Sequence, residues 1–315
     1  MNDCISITII IPAYNAEKTI SRTLNSLEKQ TNKNFRCVIV NDGSTDKTKS
    51  VIDKMIPNLS FDVLVIDKEN GGVVSARYVA LQYVDTEFVL GVDADDEIPP
   101  YAIERYNCIW NNLSKQEQIK YIGVCSLSYD YRKRVICGKK FPDNINEMCI
   151  KKYMKYRFGG ERESFTKTEY LQKKYKFGVE LEAELKRQGL GKCISEMPMH
   201  ITIERKNRYY CVNEILRIYH TEVMDSLCNK GLSLRTCKES YFNYQYMLNH
   251  FFPSNYMPIS IQVKFSLYLV KFGLLQKKSL FEIYKAVNTL QKKFILTIAL
   301  PFGIGNYILG KKVTM

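Results

Sequence analysis

Residues 93–97 read Asp-Ala-Asp-Asp-Glu, four carboxylates in five positions directly behind the apolar run Phe88-Val89-Leu90-Gly91-Val92. A β-prone segment that ends in clustered acids is poor packing chemistry, because unpaired carboxylates repel each other and resist burial. A divalent cation between them removes the conflict. Oxygen ligands of this kind suit Mg2+ or Mn2+, and Mg2+ usually takes one or two protein carboxylates and fills its other positions with water and phosphate oxygens. If the extended geometry continues past Val92, Asp93 and Asp95 point to the same side, roughly 6–7 Å apart. One carboxylate then holds a metal while the other reaches a neighbouring part of a bound ligand. A second reading is an acidic loop that caps the next helix, since Asp96 and Glu97 precede Pro99-Pro100 and a helical pattern.

Three further segments favour the first reading. Ile5 to Ile11 is a buried-strand run that leads into Pro12-Ala13-Tyr14-Asn15. Cys37-Val38-Ile39-Val40 ends in Asn41-Asp42-Gly43-Ser44-Thr45-Asp46, and a third segment reads Asn70-Gly71-Gly72-Val73-Val74-Ser75-Ala76-Arg77. Strand tips loaded with polar and small residues, in an alternating strand–helix order, are where open α/β sheets bind nucleotides. With Gln30-Thr31 and the acidic cluster, these five motifs stand in the order found in family 2 glycosyltransferases of the GT-A fold. The first hundred residues resemble that family; the likeness weakens after about residue 110 and is loose beyond residue 225.

The resemblance implies a Rossmann-like, mostly parallel nucleotide-diphospho-sugar transferase fold with a C-terminal helical extension. It implies that Pro12, Ala13, Tyr14 and Asn15 wrap base and ribose, that Gly72 lies at the nucleotide, and that Asp42 accepts a hydrogen bond from the uracil N–H. Arg77 is expected to offset phosphate charge. Asp95 is expected as principal metal ligand, with Asp93 at the ribose or a metal-bound water, Asp96 at the donor sugar, and His220 at phosphate or metal. Such enzymes invert the anomeric centre in one displacement and need one general base, for which a carboxylate serves. The family often carries a Glu-Asp pair before a helix in its acceptor half, and this chain has none there. Glu196, in a loop before a helix, is the first choice of base. Glu180, in Phe177-Gly178-Val179-Glu180, read as a loop, is the second.

Length and composition agree. The chain has 315 residues, 45% hydrophobic and 25% charged, which describes a globular protein of one catalytic domain plus an appendage. The N-terminus has no basic n-region, so its short apolar run reads as a core strand and not as a secretory signal. Ten scattered cysteines, no Cys-x-x-Cys and three histidines argue against a Cys/His zinc site and for a reducing cytoplasm. The net charge of +13 calls for an anionic partner. No nucleic-acid-binding motif accompanies it. An anionic membrane fits, because the last third combines lysine pairs with long apolar stretches. The expected setting is peripheral, on the inner face of the cell membrane.

The periodicity predicts strands near 5–11, 35–41, 62–67 and 87–92, with helices near 17–30, 46–55 and 73–84 and Asp46 as a helix cap. A helix from Pro99 to about Asn111 follows, then a strand pair at 121–131 and 135–137 around Arg132-Lys133-Arg134. Phe158-Gly159-Gly160 reads as a loop, followed by helices near 167–176 and 197–206 and a strand at 209–219. This gives a catalytic domain over 1–230, divided at 98/99 into nucleotide and acceptor halves, and a helical, membrane-associating region over 231–315. Phe294 to Gly310 contains no charge and is flanked by Lys292-Lys293 and Lys311-Lys312. With Pro301, Gly303 and Gly305 inside it, the run reads as interfacial or re-entrant; a buried helical hairpin and a true span are the alternatives. The expected function is a metal-dependent, inverting transfer from a UDP-sugar to a lipid-linked saccharide in bacterial surface-polysaccharide synthesis. A sugar-nucleotidyltransferase and an inactive scaffold of the same fold are the competing readings.

Overall fold

Strand β1 (Ile7–Ala13) is apolar on both faces: Ile9 and Ile11 are fully buried on one side and Ile10 on the other. Such a strand fits only the middle of a sheet covered on both sides. In this computed structural model, which describes residues 5–156, 160, 162–189, 196–220, 234–251 and 258–309, β1 pairs in parallel with β2 (Phe35–Asp42) and β4 (Phe88–Gly91). β3 (Asp62–Lys68) extends the parallel block beyond β2. Helices α1 (Ile20–Glu28), α2 (Thr48–Met55) and α3 (Val73–Leu81) fill the crossovers, so the alternating pattern becomes a doubly wound half.

Beyond β4 the chain forms α4 (Ala102–Asn111), α5 (Lys115–Lys120), β5 (Tyr121–Asp130), β6 (Val135–Ile136) and β7 (Glu147–Met148). Then come α6 (Ile150–Tyr156), β8 (Arg162–Lys167), α7 (Thr168–Arg187), α8 (Met197–Glu204) and β9 (Arg208–Tyr219). The sheet order is β3-β2-β1-β4-β8-β5-β9-β7, with β6 paired to β5. β8 is antiparallel to both neighbours, β4 and β5, and inserts between them. The sequence reading missed this strand and started a helix at about its last residue.

Other departures are smaller. Lys47, not Asp46, precedes the first turn of α2, although the Asp46 carboxylate does accept the Thr48 N–H at 2.9 Å. Glu180 lies inside α7, not in a loop. The expected 158–160 loop is described only at Gly160.

The chain divides into two units. The sheet unit comprises 1–149, 157–179 and 206–223; the helical unit comprises 150–156, 180–205 and 224–315. The helical unit is built from α9 (Leu234–Phe251), α10 (Ile259–Leu275), α11 (Leu280–Lys285) and α12 (Leu290–Leu309), and it takes in α6 and α8 as well. It does not simply begin at residue 231, because Ile150 of α6 and Ile201 of α8 belong to its core with Leu269, Val270, Ile283 and Leu296. Residues 294–309 are the body of α12, an unbroken helix with Pro301 inside it, and not a re-entrant loop. Among the described residues, no helix is long and apolar enough to cross a membrane.

Candidate active site

The C-terminal ends of β1, β2 and β4 lie side by side, and their loops are tied to one another by polar groups. Asn15 adopts a left-handed backbone, φ +49°, a conformation asparagine tolerates better than most residues. Its N–H donates to Ser44 Oγ (3.1 Å), and its Oδ1 accepts the Thr45 N–H (2.8 Å). Ala16 N–H donates to Thr48 Oγ1 at 2.7 Å. The loops after β1 and β2 therefore form one surface. On it Tyr14 is half exposed, Pro12 partly exposed and Ala13 buried.

Asp42 ends β2 almost fully buried. Its Oδ1 accepts the Gly71 N–H at 2.9 Å and its Oδ2 the Gly72 N–H at 2.7 Å, while Lys68 Nζ pairs with it at 2.5 Å. The carboxylate thus pins the third loop against the second. Glycine is required at two points of this contact. Gly72 takes φ +90°, and a side chain at Gly43 (φ +68°) would place its first carbon 2.6 Å from the Asn70 backbone nitrogen.

Gln30, fully buried in the turn after α1, donates to the carbonyl of Pro99 at 2.8 Å and accepts the Ile103 N–H at 3.2 Å. Thr31 N–H donates to the Pro100 carbonyl. The Gln-Thr motif thereby fixes the chain that leaves the acidic cluster. On the other side, Glu97 and Ile218 of β9 exchange backbone hydrogen bonds at 3.1 and 2.8 Å. Arg22 of α1 donates to the Asp95 carbonyl.

Within the cluster the four acids have different surroundings. Asp93 is gripped by Arg77 of α3 (2.5 Å) and by Arg217 of β9 (2.8 Å). Arg77 also donates to Tyr175 Oη at 3.1 Å. Asp96 has no exposed surface; it pairs with Arg217, whose Nε donates to its Oδ2 at 2.7 Å, and its Oδ1 accepts the His220 backbone N–H at 3.0 Å. The carboxylate expected at the donor sugar is therefore an internal anchor that joins the acidic loop to β9. Glu97 sits 2.7 Å from Nε2 of the buried His220 ring, which packs on Tyr131. Asp95 is half-buried and makes no ion pair with any described residue.

Burial drives the electrostatics. Burial, and then the neighbouring Asp93 charge, pushes the Asp95 carboxyl above its ordinary value. Burial lifts Asp96 to about 7 against the pull of Arg217. The same balance lifts Glu163 of β8 to about 7; its Oε2 is 3.8 Å from Arg217 Nε. For Arg217 itself, burial works against the charge, but Asp93, Asp96 and Glu163 outweigh it and hold the guanidinium protonated.

Sequence reasoning missed Arg217, Glu163, Arg22 and Glu97 as members of this network. Alternation along β9 was a usable signal, since Arg217 falls between the apolar Leu216 and Ile218. Glu163 offered none, its strand having gone unseen. Glu196 and Glu180 belong to the helical unit. Glu196 is the residue before α8, half-buried, with Oε2 3.5 Å from His200 Nε2; Glu180 is exposed on α7.

Two observations fit a divalent cation at the acidic loop. Asp95 is a raised carboxylate without a cationic partner, and the buried His220 Nδ1 has no hydrogen-bond partner among the described residues. No group of three or more His, Cys, Asp or Glu side chains converges as a ready cage among the described residues. A cation here would be one that takes few protein ligands and completes its shell from phosphate and water.

A parallel sheet with linked polar loops at its strand tips and one antiparallel strand inserted beside the acid-tipped strand defines the GT-A class. The crystal structure of residues 1–349 of Staphylococcus aureus TarS with UDP-GlcNAc shares this fold: TM-score 0.59 and 18% identity, covering 96% of this chain and 89% of that one. Residues 8–106 match the model of Glycosyl transferase family 2. The chain is 42% identical over 107 residues to the teichoic acid poly(glycerol phosphate) polymerase of Staphylococcus epidermidis, over 34% of this chain and 15% of that protein. It is also 42% identical over 93 residues to the poly(ribitol-phosphate) beta-N-acetylglucosaminyltransferase TarS of S. aureus, over 29% of this chain and 16% of the relative. The matches thus span about one sixth of the length of these curated relatives.

Proposed function

We propose that the chain transfers a sugar from a UDP-sugar to a saccharide acceptor with inversion, assisted by Mn2+ or Mg2+, in bacterial surface-polymer synthesis. The observation that carries the reading is the division of labour among the acids. Asp93 and Asp96 pair with protein arginines, while Asp95 makes no ion pair with any described residue and feels Arg217 and Arg22 only at longer range. The nature of the relatives supports the same direction: by name one is a teichoic acid poly(glycerol phosphate) polymerase and one a poly(ribitol-phosphate) beta-N-acetylglucosaminyltransferase, the latter seen with UDP-GlcNAc.

In this reading the surface of Pro12, Ala13, Tyr14 and Asn15 receives the base and ribose. Asp42 keeps lone-pair capacity for a ring N–H while it holds Gly71 and Gly72 in place, which suits uracil. Asp93, oriented by Arg77 and Arg217, faces the ribose. Asp95 would hold the metal, with His220 as a weaker candidate ligand. When bound, the metal supplies Lewis-acid stabilisation of the departing diphosphate. Arg77 offsets phosphate charge. Glu196 takes the acceptor proton, and Glu180 is the alternative base. The acceptor is lipid-linked, and the setting is the cytoplasmic surface of an anionic membrane.

The test is hydrolysis of a panel of UDP-sugars with Mn2+, by wild type and by Asp95→Asn. Metal-dependent hydrolysis that falls at least 100-fold in the variant, with unchanged thermal unfolding, is expected. Full activity in EDTA, or none with any donor, rejects the reading; the second result favours a scaffold. Glu196→Gln and Glu180→Gln, assayed together for donor binding and transfer, identify the base as the one whose loss spares binding alone.

A further inference from the structure

Helix α12 is apolar on two faces, and only one of them is used by the fold. Leu296 and Ala299 are fully buried, and Gly303 is packed so closely on α10 that a side chain there would lie 2.6 Å from Val270 Cβ. That packing fixes the rotation of the helix. The other face then holds Leu290 (85% exposed), Phe294 (67%), Ile298 (48%), Phe302 (65%) and Ile308 (60%) in a stripe of helical spacing. No charged residue lies in α12 after Lys293. On the neighbouring short helix, Phe281 is 65% exposed. Large exposed apolar side chains aligned on one helix face in this way mark an interaction surface.

The charges around it indicate the partner. Residues 258–309 hold seven lysines, of which Lys292 is buried and bonded to Asn249 and Asn288, and one acid, Glu282, which is occupied in capping α11 through Ser279. Two of these lysines sit over rings at the edge of the patch: Lys285 Nζ is 4.4 Å from the Phe281 ring centre, and Lys293 Nζ is 5.3 Å from that of Tyr284. Apolar and aromatic side chains flanked by lysine amines are the signature of a helix lying in a lipid–water interface. A second copy of the chain is a poor occupant, because a symmetric contact would bring two lysine-rich rims together.

We infer that the Leu290–Phe294–Ile298–Phe302–Ile308 face of α12, with Phe281, is the side of the molecule that enters an anionic bilayer, the helix lying in the membrane plane. This deepens the reading of a membrane-surface transferase and rests on it only for its purpose, since its test uses no donor sugar. An in-plane helix sinks its apolar face about 5–10 Å. The lysines add electrostatic attraction that salt screens, whereas the apolar contribution persists.

The experiment uses the full chain and vesicles of phosphatidylcholine with or without phosphatidylglycerol. Wild type should bind the anionic vesicles, with binding weakened but retained in high salt. Phe294→Glu/Phe302→Glu should lower partitioning at least tenfold with unchanged thermal unfolding, both sites being exposed. The single tryptophan, Trp110, is buried. Phe294→Trp therefore adds an exposed reporter whose fluorescence should be quenched by brominated lipid. Absence of binding by wild type, equal binding by the double variant, or no quenching overturns the proposal. So does a wild-type dimer in solution that the double variant dissociates. Vesicle binding without sugar-nucleotide hydrolysis would reject the transferase reading and leave this one standing.

Discussion

The acidic loop at the tip of β4 and the outer face of α12 solve opposite problems. At the loop, protein groups answer almost every charge: Arg217 pairs with Asp93 and Asp96 and stands beside Glu163, and Arg77 shares Asp93. On α12, the protein answers one apolar face and leaves the other in water. The difference teaches where each region takes its order from. The loop is held by buried charge pairs whose loss is costly inside the protein. The helix is held by its inner face, so its outer face is free to serve something else. Removing a member of the paired network at the loop should therefore register in folding, and changes on the stripe should not.

Arg217→Gln is the largest test of this contrast. Removing one member of a buried ionic network leaves the others uncompensated, which costs about 3–5 kcal/mol. Here three carboxyl groups lose their common partner. Denaturant unfolding of the variant should show a loss of that size, while Phe294→Glu/Phe302→Glu stays within about 0.5 kcal/mol of wild type, as exposed substitutions do. Equal losses in the two variants would erase the distinction between the regions.

Asp42→Ala is expected to have a smaller and double effect. The side chain stabilises the turn through the Gly71 and Gly72 N–H groups, and in the proposed function it also meets the base. Hydrogen bonds to charged groups contribute about 1.5–3 kcal/mol. Calorimetry should show UDP affinity weakened by about 1–3 kcal/mol. Asp42→Asn separates the two roles, because its amide retains only one acceptor oxygen. If UDP affinity is unchanged in both variants, Asp42 is a turn residue and nothing more.

How far the sequence reaches follows the same line. β1, β2 and β4 are legible because each is a short apolar run bounded by a turn-forming motif, and the motifs themselves announce the tips. Contacts that close the site are not local. Arg217 meets Asp96 across 121 residues, and no window of sequence contains both. β8 is illegible for a different reason. Its Arg162-Glu163-Ser164 start is polar, and only pairing with β4 and β5 on both sides makes it a strand. Asp96, expected at the donor sugar from its motif position, is buried and anchors the loop to β9, a contact that no local pattern announces. In α12, Pro301 and the two glycines read as breakers. Pro301 is on the exposed side and Gly303 at a close helix contact, so both sit within a continuous helix.

The finest test concerns the protonation of Glu163. Burial raises its carboxyl from the ordinary value near 4.5 to about 7 in the folded chain, with Arg217 pulling the other way. The folded state then binds the proton more tightly than the unfolded state. Its contribution to stability is complete below about pH 4.5, is lost as pH rises toward about 7, and is constant above that. Glutamine at this position stays neutral, so Glu163→Gln should lack this loss. Subtracting the two stability curves cancels the titrating groups that do not interact with Glu163. The variant-minus-wild-type difference should rise between about pH 4.5 and 7, by at most about 1.4 kcal/mol per pH unit. Asp96, shifted in the same direction, keeps some slope in both proteins. A difference curve that is flat over this range would mean that Glu163 is ionised throughout, its charge held by Arg217 in the way that Asp93 is held. Arg217 would then face three charged carboxylates, and burial would not set the protonation of Glu163.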